Sequence, residues 1–137
     1  MRIVLDTNVI VAAMQSTRGA SNALLQRIGT PAFRPALSVP LLFEYEDVLS
    51  RPQFSFDPAR VDAILDYLTL ESSHHRINFL WRPHLSDPKD DMVLELAFNA
   101  QYPLIVTFNI KDFKSASQLG IRAVQPREFL TLIGGAS

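Results

Sequence analysis

The sequence predicts an α/β fold with three layers, in which helices cover a mostly parallel central sheet. Two observations support this fold class. Short, largely apolar runs such as Ile3–Leu5 and Leu104–Thr107 are typical of strands that are buried on both faces of a parallel sheet. Segments with helical spacing of apolar residues alternate with these runs. No repeat, linker or low-complexity stretch interrupts the 137 residues, so we expect residues 1–137 to form one domain.

Five strands are predicted, each from a short apolar run. In chain order they lie at Ile3–Leu5, Phe33–Leu37, Arg76–Leu80, Leu104–Thr107 and Ile121–Val124. The second is the weakest, because Pro35 has no N–H to donate to a ladder. A proline of this kind is typical of an edge strand or a bend.

Six helical segments alternate with the strands. They are predicted at Thr7–Met14, at Ala20–Ile28, from Ser38 to Leu49, from Asp57-Pro58 onward, from Asp87-Pro88 onward and from Pro126 to Ile133. Most begin at a capping residue or a proline, and Arg51-Pro52 ends the third. The fourth has the clearest amphipathic stripe, at Val61, Ile64, Leu65 and Leu68. Core packing explains that stripe, and so does a dimer interface.

The composition limits the classes of function. The net charge is −1, so no strong global field attracts nucleic acid, although a local basic rim stays possible. The absence of cysteine excludes disulfides, zinc thiolate sites and thiol nucleophiles. No apolar stretch has the length of a signal sequence or a membrane span. We therefore expect a soluble, cytoplasmic protein with no membrane partner.

Polar residues collect where the predicted strands end. Asp6 follows the first strand directly, and Asn109 and Asp112 follow the fourth. Ser38 follows the second strand, with Glu44 in the helix behind it, and three acids begin the helix that leads to the fourth strand: Asp87, Asp90 and Asp91. In open α/β sheets, ligands bind at the carboxyl ends of the strands where the chain order reverses. All these groups can therefore converge on one rim.

Helical spacing separates some of these acids. The positions three, four and seven after Asp90 are all apolar, whereas those after Asp91 are mixed, so Asp90 is predicted on the inward face. The same test does not separate Glu44 from Glu46. Asp47 is predicted to face solvent, in line with Ser50 and Arg51.

Carboxylates that crowd on one rim repel each other, and hard cations such as Mg²⁺ or Mn²⁺ relieve that repulsion. No histidine arrangement competes, because His74 and His75 are adjacent and His84 stands alone. A divalent metal in such a crevice suits phosphodiester hydrolysis, since it lowers the pKa of a bound water and neutralises charge on the leaving oxygen.

Four segments extend this interpretation: MRIVLDTNVIV, SVPLLFEYEDVLSRPQF, DPKDDMVLELA and LIVTFNIKDF. Together, in this order, they resemble the PIN-domain family, and in particular its branch of toxin components from toxin–antitoxin systems. The resemblance covers nearly the whole chain. It implies a fold similar to that of flap-type nucleases, bound Mg²⁺ or Mn²⁺, and cleavage of single-stranded RNA. It also implies a cognate antitoxin protein as partner and a homodimer.

The resemblance assigns roles by position. It implies four catalytic acids, Asp6, Glu44, Asp90 and Asp112, and it makes Asp6, Asp90 and Asp112 the metal ligands. Asn8, Thr107 and Asn109 are expected to support the site, and Asp91 and Ser38 are further candidates. The branch often has aspartate where Asn109 stands. Related toxins with T-x-N followed by D-F carry the fourth acid at the position of Asp112.

Structural interpretations compete with these roles. Asp6 suits a helix N-cap, Asp90 and Asp91 suit a first helical turn, and Asp112 suits a turn or a cap. A weakly active or inactive PIN-like module that binds RNA or protein is the alternative function. A phosphatase of the haloacid dehalogenase type fits poorly, because Asn8 stands where that chemistry needs an acid. Five basic residues are candidates for phosphate contacts: Arg18, Arg51, Lys89, Lys111 and Lys114.

Overall fold

The computed structural model describes residues 1–76, 88–102 and 104–134, and of positions 88–91 it describes the backbone only. The strands are β1 (Arg2–Leu5), β2 (Arg34–Leu37), β3 (Ser73–His74), β4 (Leu104–Val106) and β5 (Arg122–Val124). The α-helices are α1 (Thr7–Gln15), α2 (Ala20–Gln26), α3 (Val39–Leu49), α4 (Pro58–Glu71), α5 (Pro88–Asn99) and α6 (Pro126–Leu132). Two 3₁₀ segments cover Pro52–Phe54 and Ile110–Leu119.

The predicted α/β fold is confirmed: helices flank a parallel sheet. In the described part of the chain the sheet has five strands in the order β3-β2-β1-β4-β5, and every neighbouring pair is parallel. The chain first builds outward from β1 through β2 to β3 and then crosses back to place β4 on the other side of β1. The order therefore reverses between β1 and β4, which is where the crevice of such a sheet lies.

Pro35 predicted an edge position or a bend for the second strand, and the edge position is wrong because β2 is interior. The N–H of Arg34 donates to the carbonyl of Met1 on the β1 side. Successive N–H groups alternate sides, so the missing N–H of Pro35 falls on the β3 side, where pairing begins only at Ala36. The proline therefore removes no ladder bond.

The edge strand itself is Ser73–His74, ahead of the predicted Arg76–Leu80. Arg76 lies outside any strand, and residues 77–80 lie outside the described residues. The predicted strand at Leu104–Thr107 ends one residue earlier, at Val106. The 3₁₀ segment at Ile110–Leu119, whose backbone is kinked at Phe113, was not predicted.

The core lies between the sheet and its helices. In the stripe of α4, Val61, Leu65 and Leu68 are buried, so core packing accounts for them. Helix α5 packs against both β1 and β4, the two strands at the chain reversal. Among the described residues, no helix has the length and apolar character that crossing a bilayer requires.

Candidate active site

Asp6 lies at the carboxyl end of β1, beside the chain reversal, and only 8% of its surface is exposed. Its backbone N–H continues the ladder by donating to the carbonyl of Val106, at 3.0 Å. Its Oδ1 accepts from the N–H of Thr7 at 2.8 Å, so the predicted N-cap role is real. Capping uses one carboxylate oxygen and leaves the other oriented by the neighbouring strand.

Thr107 orients the second oxygen of Asp6 from the end of β4. Its hydroxyl donates to Oδ2 at 2.8 Å, and the residue is fully buried. The same hydroxyl accepts from the N–H of Asn109 at 3.0 Å. The two ends of the neighbouring strands are thus joined through one hydroxyl.

Asn8 completes this network from the first turn of α1. Its Nδ2 lies 3.4 Å from Oδ2 of Asp6 and 3.3 Å from Oγ1 of Thr107. Its Oδ1 accepts from the N–H of Phe108 at 3.3 Å. The side chain therefore bridges the ends of β1 and β4.

The electrostatics of Asp6 reveal a local excess of negative charge. Burial raises its pKa above the ordinary value of 3.8, and the charges of Asp112 and Glu44 raise it further. The hydrogen bonds from Thr107 and Thr7 act in the opposite direction but do not cancel the increase. A buried carboxylate held near two others favours a proton or a cation.

A cleft of about 560 Å³ opens over Asp6. One wall is a face of α1, where Asn8, Val11 and Gln15 follow helical spacing. The opposite wall is a face of α3 and its end, formed by Glu44, Val48 and Arg51. The lining is completed by Thr7, Ala12, Phe54, Phe108 and Asn109.

The structure separates the two glutamates that spacing left open. Glu44 is half-buried and lines the cleft, whereas Glu46 is exposed and is absent from the lining. Asp47 is exposed and pairs with Arg51 at 3.0 Å, as predicted. Glu44 is therefore the carboxylate that α3 offers to the cleft.

Tyr45 is a site residue that the sequence interpretation missed. It is buried, and its hydroxyl donates to the carbonyl of Leu5, the residue before Asp6. Burial, and secondarily the charge of Asp6, raise the pKa of this phenol well above its usual value of 10.0, so it stays protonated. The buried stripe Leu41, Tyr45 and Leu49 carried the signal, since helical spacing places Tyr45 on the inward face.

For the acids at positions 90 and 91 of α5, the structure describes the position of the backbone only. Positions 90 and 91 lie in the first turn of α5, and the side chains of Lys89, Asp90 and Asp91 lie outside the described residues, as does Asp87. The three positions that share a helix face with position 90 are buried: Val93, Leu94 and Ala97. This helix face packs inward, as the spacing argument requires for Asp90.

Beyond β4, Asn109 and Asp112 take different places. Asn109 is exposed and lines the cleft. Asp112 lies in the first turn of the 3₁₀ segment, where its N–H donates to the carbonyl of Asn109 at 3.0 Å, and its charge acts on Asp6 although it is not part of the lining. Ser38 is buried and caps α3 by accepting from the N–H of Leu41 at 3.2 Å, outside the cleft lining.

The donor set fits a hard divalent cation. Within the described side chains, no three histidine, cysteine, aspartate or glutamate residues form a group that could hold a metal ion by themselves. Mg²⁺ needs less than that, because it keeps several waters and takes one or two carboxylates together with substrate phosphate. The buried carboxylate of Asp6, crowded by like charge, meets that requirement.

The fold and site together define an α/β protein with a carboxylate-lined cleft at the chain reversal of a parallel sheet. A family model described as "PIN domain" matches residues 2–111. The chain belongs to the PIN-domain family. The predicted family is thereby confirmed.

A comparison with solved structures agrees with this fold. A chain of VapBC2 from Rickettsia felis, in a crystal structure bound to a DNA fragment from their promoter, superposes with a TM-score of 0.64 at 16% identity. The match covers 91% of this chain and 98% of that one. No curated protein matches the chain.

Of the basic residues expected near phosphates, Arg51 is the one whose side chain the structure places in the lining of the cleft. Arg18, Lys111 and Lys114 are exposed and lie outside that lining. Two aromatic residues of the lining, Phe54 and Phe108, were not singled out from the sequence. Phe108 follows Thr107 directly, and an apolar residue just past a strand end was the available signal.

Proposed function

We propose that this protein is a metal-dependent endoribonuclease that cleaves single-stranded RNA and acts as the toxin of a toxin–antitoxin pair. The observation that carries the proposal is the environment of Asp6: a buried carboxylate, fixed by Thr7 and Thr107, with a raised pKa caused by burial and by two nearby carboxylates. Membership of the PIN-domain family supports the same reading.

The residues have distinct parts in the proposed reaction. Asp6 and Asp90 would hold Mg²⁺ or Mn²⁺, with Asp112 as a further ligand and Glu44 facing them from α3. A cation bound there would lower the pKa of a bound water, so that hydroxide becomes available to attack a phosphodiester, and would neutralise charge on the leaving oxygen. Thr107 and Asn8 fix the carboxylate of Asp6, and Asn109 offers a neutral amide oxygen at the cleft.

The partners are proposed from the family resemblance. An antitoxin protein is proposed as the partner, and a chain of VapBC2 from Rickettsia felis is one solved structure with a comparable fold. A homodimer in the cytoplasm is proposed as the working state. Size-exclusion chromatography coupled to light scattering measures the mass of the assembly, which for a homodimer is twice the 15.4 kDa of one chain.

RNA cleavage tests the proposal. Wild type, Asp6→Asn and Asp90→Asn are incubated with single-stranded RNA in Mn²⁺ or in EDTA, and Asp62→Asn, on the exposed face of α4, is the matched control. We expect cleavage by wild type and Asp62→Asn in Mn²⁺ only, and a loss of at least about 100-fold in the two site variants. Undiminished cleavage by both site variants would remove the site. No cleavage by wild type would favour a binding module instead.

A further inference from the structure

A second cavity, of about 480 Å³, adjoins the acidic cleft. Ala12, Gln15 and Phe108 line both spaces, so the two are neighbours that share these three residues as a border. The second cavity also has Ser21, Gln125 and Arg127 in its lining and no acidic residue there. Its size falls in the range of small-molecule sites.

Ser21 gives independent evidence for a ligand. The residue is only 3% exposed, and its hydroxyl has no hydrogen-bond partner in the part of the chain that the structure describes. A buried hydroxyl without a partner is costly, and such groups are rare in folded proteins. The hydroxyl oxygen is itself shielded, so a ligand in the cavity satisfies it when the Ser21 side chain turns toward the lining.

Phe108 presents an aromatic face on a rigid backbone. The residue is 42% exposed, and it lines both cavities. Its own N–H is bonded to Asn8, and the flanking Thr107 and Asn109 are joined by a hydrogen bond of 3.0 Å. A large exposed ring on a fixed backbone suits the stacking of a nucleobase, which needs a face and little reorganisation.

We infer that this second cavity is a nucleotide subsite of single-stranded RNA, occupied by the nucleotide next to the phosphate in the acidic cleft. Phe108 stacks on the base, Ser21 and Gln125 offer hydrogen bonds, and Arg127 contacts a phosphate. The inference rests on the proposed function, since it places the reacting phosphate over Asp6. An acid-free lining with one guanidinium favours the RNA backbone over a basic peptide.

Binding without cleavage tests the subsite. Fluorescence anisotropy measures the affinity for a labelled single-stranded oligo(U) and oligo(A) of eight nucleotides, in EDTA at several salt concentrations. The variants are Phe108→Leu, Arg127→Gln and Ser21→Ala. The matched controls are Phe43→Leu, at an exposed position on α3, and Arg34→Gln, at the amino end of β2. Circular dichroism verifies that each variant is folded.

We expect Phe108→Leu to weaken binding by roughly 10-fold, the effect of losing one stacked base. Arg127→Gln should lower the slope of log affinity against log salt by about 0.7, the value for one phosphate on a single strand. Ser21→Ala should change the preference between the two oligonucleotides, and the controls should match wild type.

Wild-type affinity in both Phe108→Leu and Arg127→Gln would overturn the inference and leave the cavity to a protein segment. Absence of RNA binding by wild type would overturn it as well. The two proposals fail separately: cleavage in Mn²⁺ with unchanged binding by Phe108→Leu removes only the subsite. Weakened binding by Phe108→Leu without wild-type cleavage removes only the nuclease.

Discussion

The hydroxyl of Thr107 donates to Oδ2 of Asp6 at 2.8 Å, although the two residues are 101 positions apart in the chain. The bond joins the ends of β1 and β4, the strands between which the order of the sheet reverses. It fixes the buried carboxylate at the centre of the proposed metal site.

Replacing Thr107 by valine tests this bond, because valine keeps the shape and removes the hydroxyl. We expect Thr107→Val to lose about 1–3 kcal/mol of unfolding free energy, since Asp6, Asn8 and Asn109 all lose a partner. Cleavage should fall by roughly 10-fold, because Asp6 is less well oriented. Urea unfolding and RNA cleavage measure the two effects. Thr107→Ser should restore most of both, and equal behaviour of the two variants would contradict the role of the hydroxyl.

The bond from the Tyr45 hydroxyl to the Leu5 carbonyl joins α3 to the end of β1. We predict that this bond holds Glu44, the neighbour of Tyr45 on α3, in its position relative to Asp6. Tyr45→Phe should lower the unfolding free energy by about 1–3 kcal/mol, since a buried carbonyl loses its donor. Its affinity for Mn²⁺ should fall severalfold in isothermal titration calorimetry. Tyr67→Phe is the matched control, because Tyr67 also donates to a carbonyl, that of Ile28, outside the cleft. Equal loss of Mn²⁺ affinity in both variants would contradict a local role for Tyr45.

The raised pKa of Asp6 predicts how stability depends on pH. Since the folded state holds the Asp6 proton more tightly than the unfolded chain, that proton stabilises the fold at low pH. The stabilisation is lost as the pH rises from the ordinary value of 3.8 through the raised pKa. In EDTA at pH 7, Asp6→Asn should therefore melt roughly 2–5 °C above wild type.

Thermal unfolding followed by circular dichroism between pH 4 and pH 8 checks this difference. The gap between wild type and Asp6→Asn should narrow as the pH falls. Asp62→Asn, an exposed position on α4, should melt with wild type throughout. A lower melting temperature for Asp6→Asn than for wild type at pH 7 would contradict this prediction. It would show that the hydrogen bonds of the Asp6 carboxylate contribute more to stability than burial of its charge costs.

The fold was predictable because its signals are local. Apolar runs and caps marked β1, β4 and α3, and alternation of strands with helices set the parallel sheet. The interior placement of β2 was not predictable from the sequence, because the effect of Pro35 depends on the residue at which β3 begins to pair with β2. That register is a property of the assembled sheet.

The site was predictable in part. The rule that strand ends converge predicted Asp6 and Glu44 on one rim, and both line the cleft. Thr107 was expected there only from the family resemblance, and its hydroxyl donates to Asp6. The capping bond of Ser38 is predictable because donor and acceptor are three residues apart. Helical spacing places Tyr45 on the inward face, but it does not predict the bond to Leu5, 40 positions away. The role proposed for Phe108 depends on the two cavities that meet at this residue in the folded chain.

Asn109 offers a gain-of-function test. It lines the cleft, and the family branch often carries aspartate there. Asn109→Asp adds a carboxylate beside the proposed cation, so the affinity for Mn²⁺ should rise by roughly 10-fold, about 1.4 kcal/mol at close range. Isothermal titration calorimetry measures this affinity, with Asn22→Asp as a control outside the cleft. Unchanged affinity in Asn109→Asp would place the cation away from this residue.

The most direct test of the account is a crystal structure of wild type soaked in Mn²⁺, with anomalous data collected near the manganese absorption edge. We predict one anomalous peak within coordination distance of Asp6, Asp90 and Asp112, with Glu44 facing it, and no such peak in Asp6→Asn. A peak elsewhere, or an unchanged peak in Asp6→Asn, would contradict a metal-dependent nuclease built around Asp6.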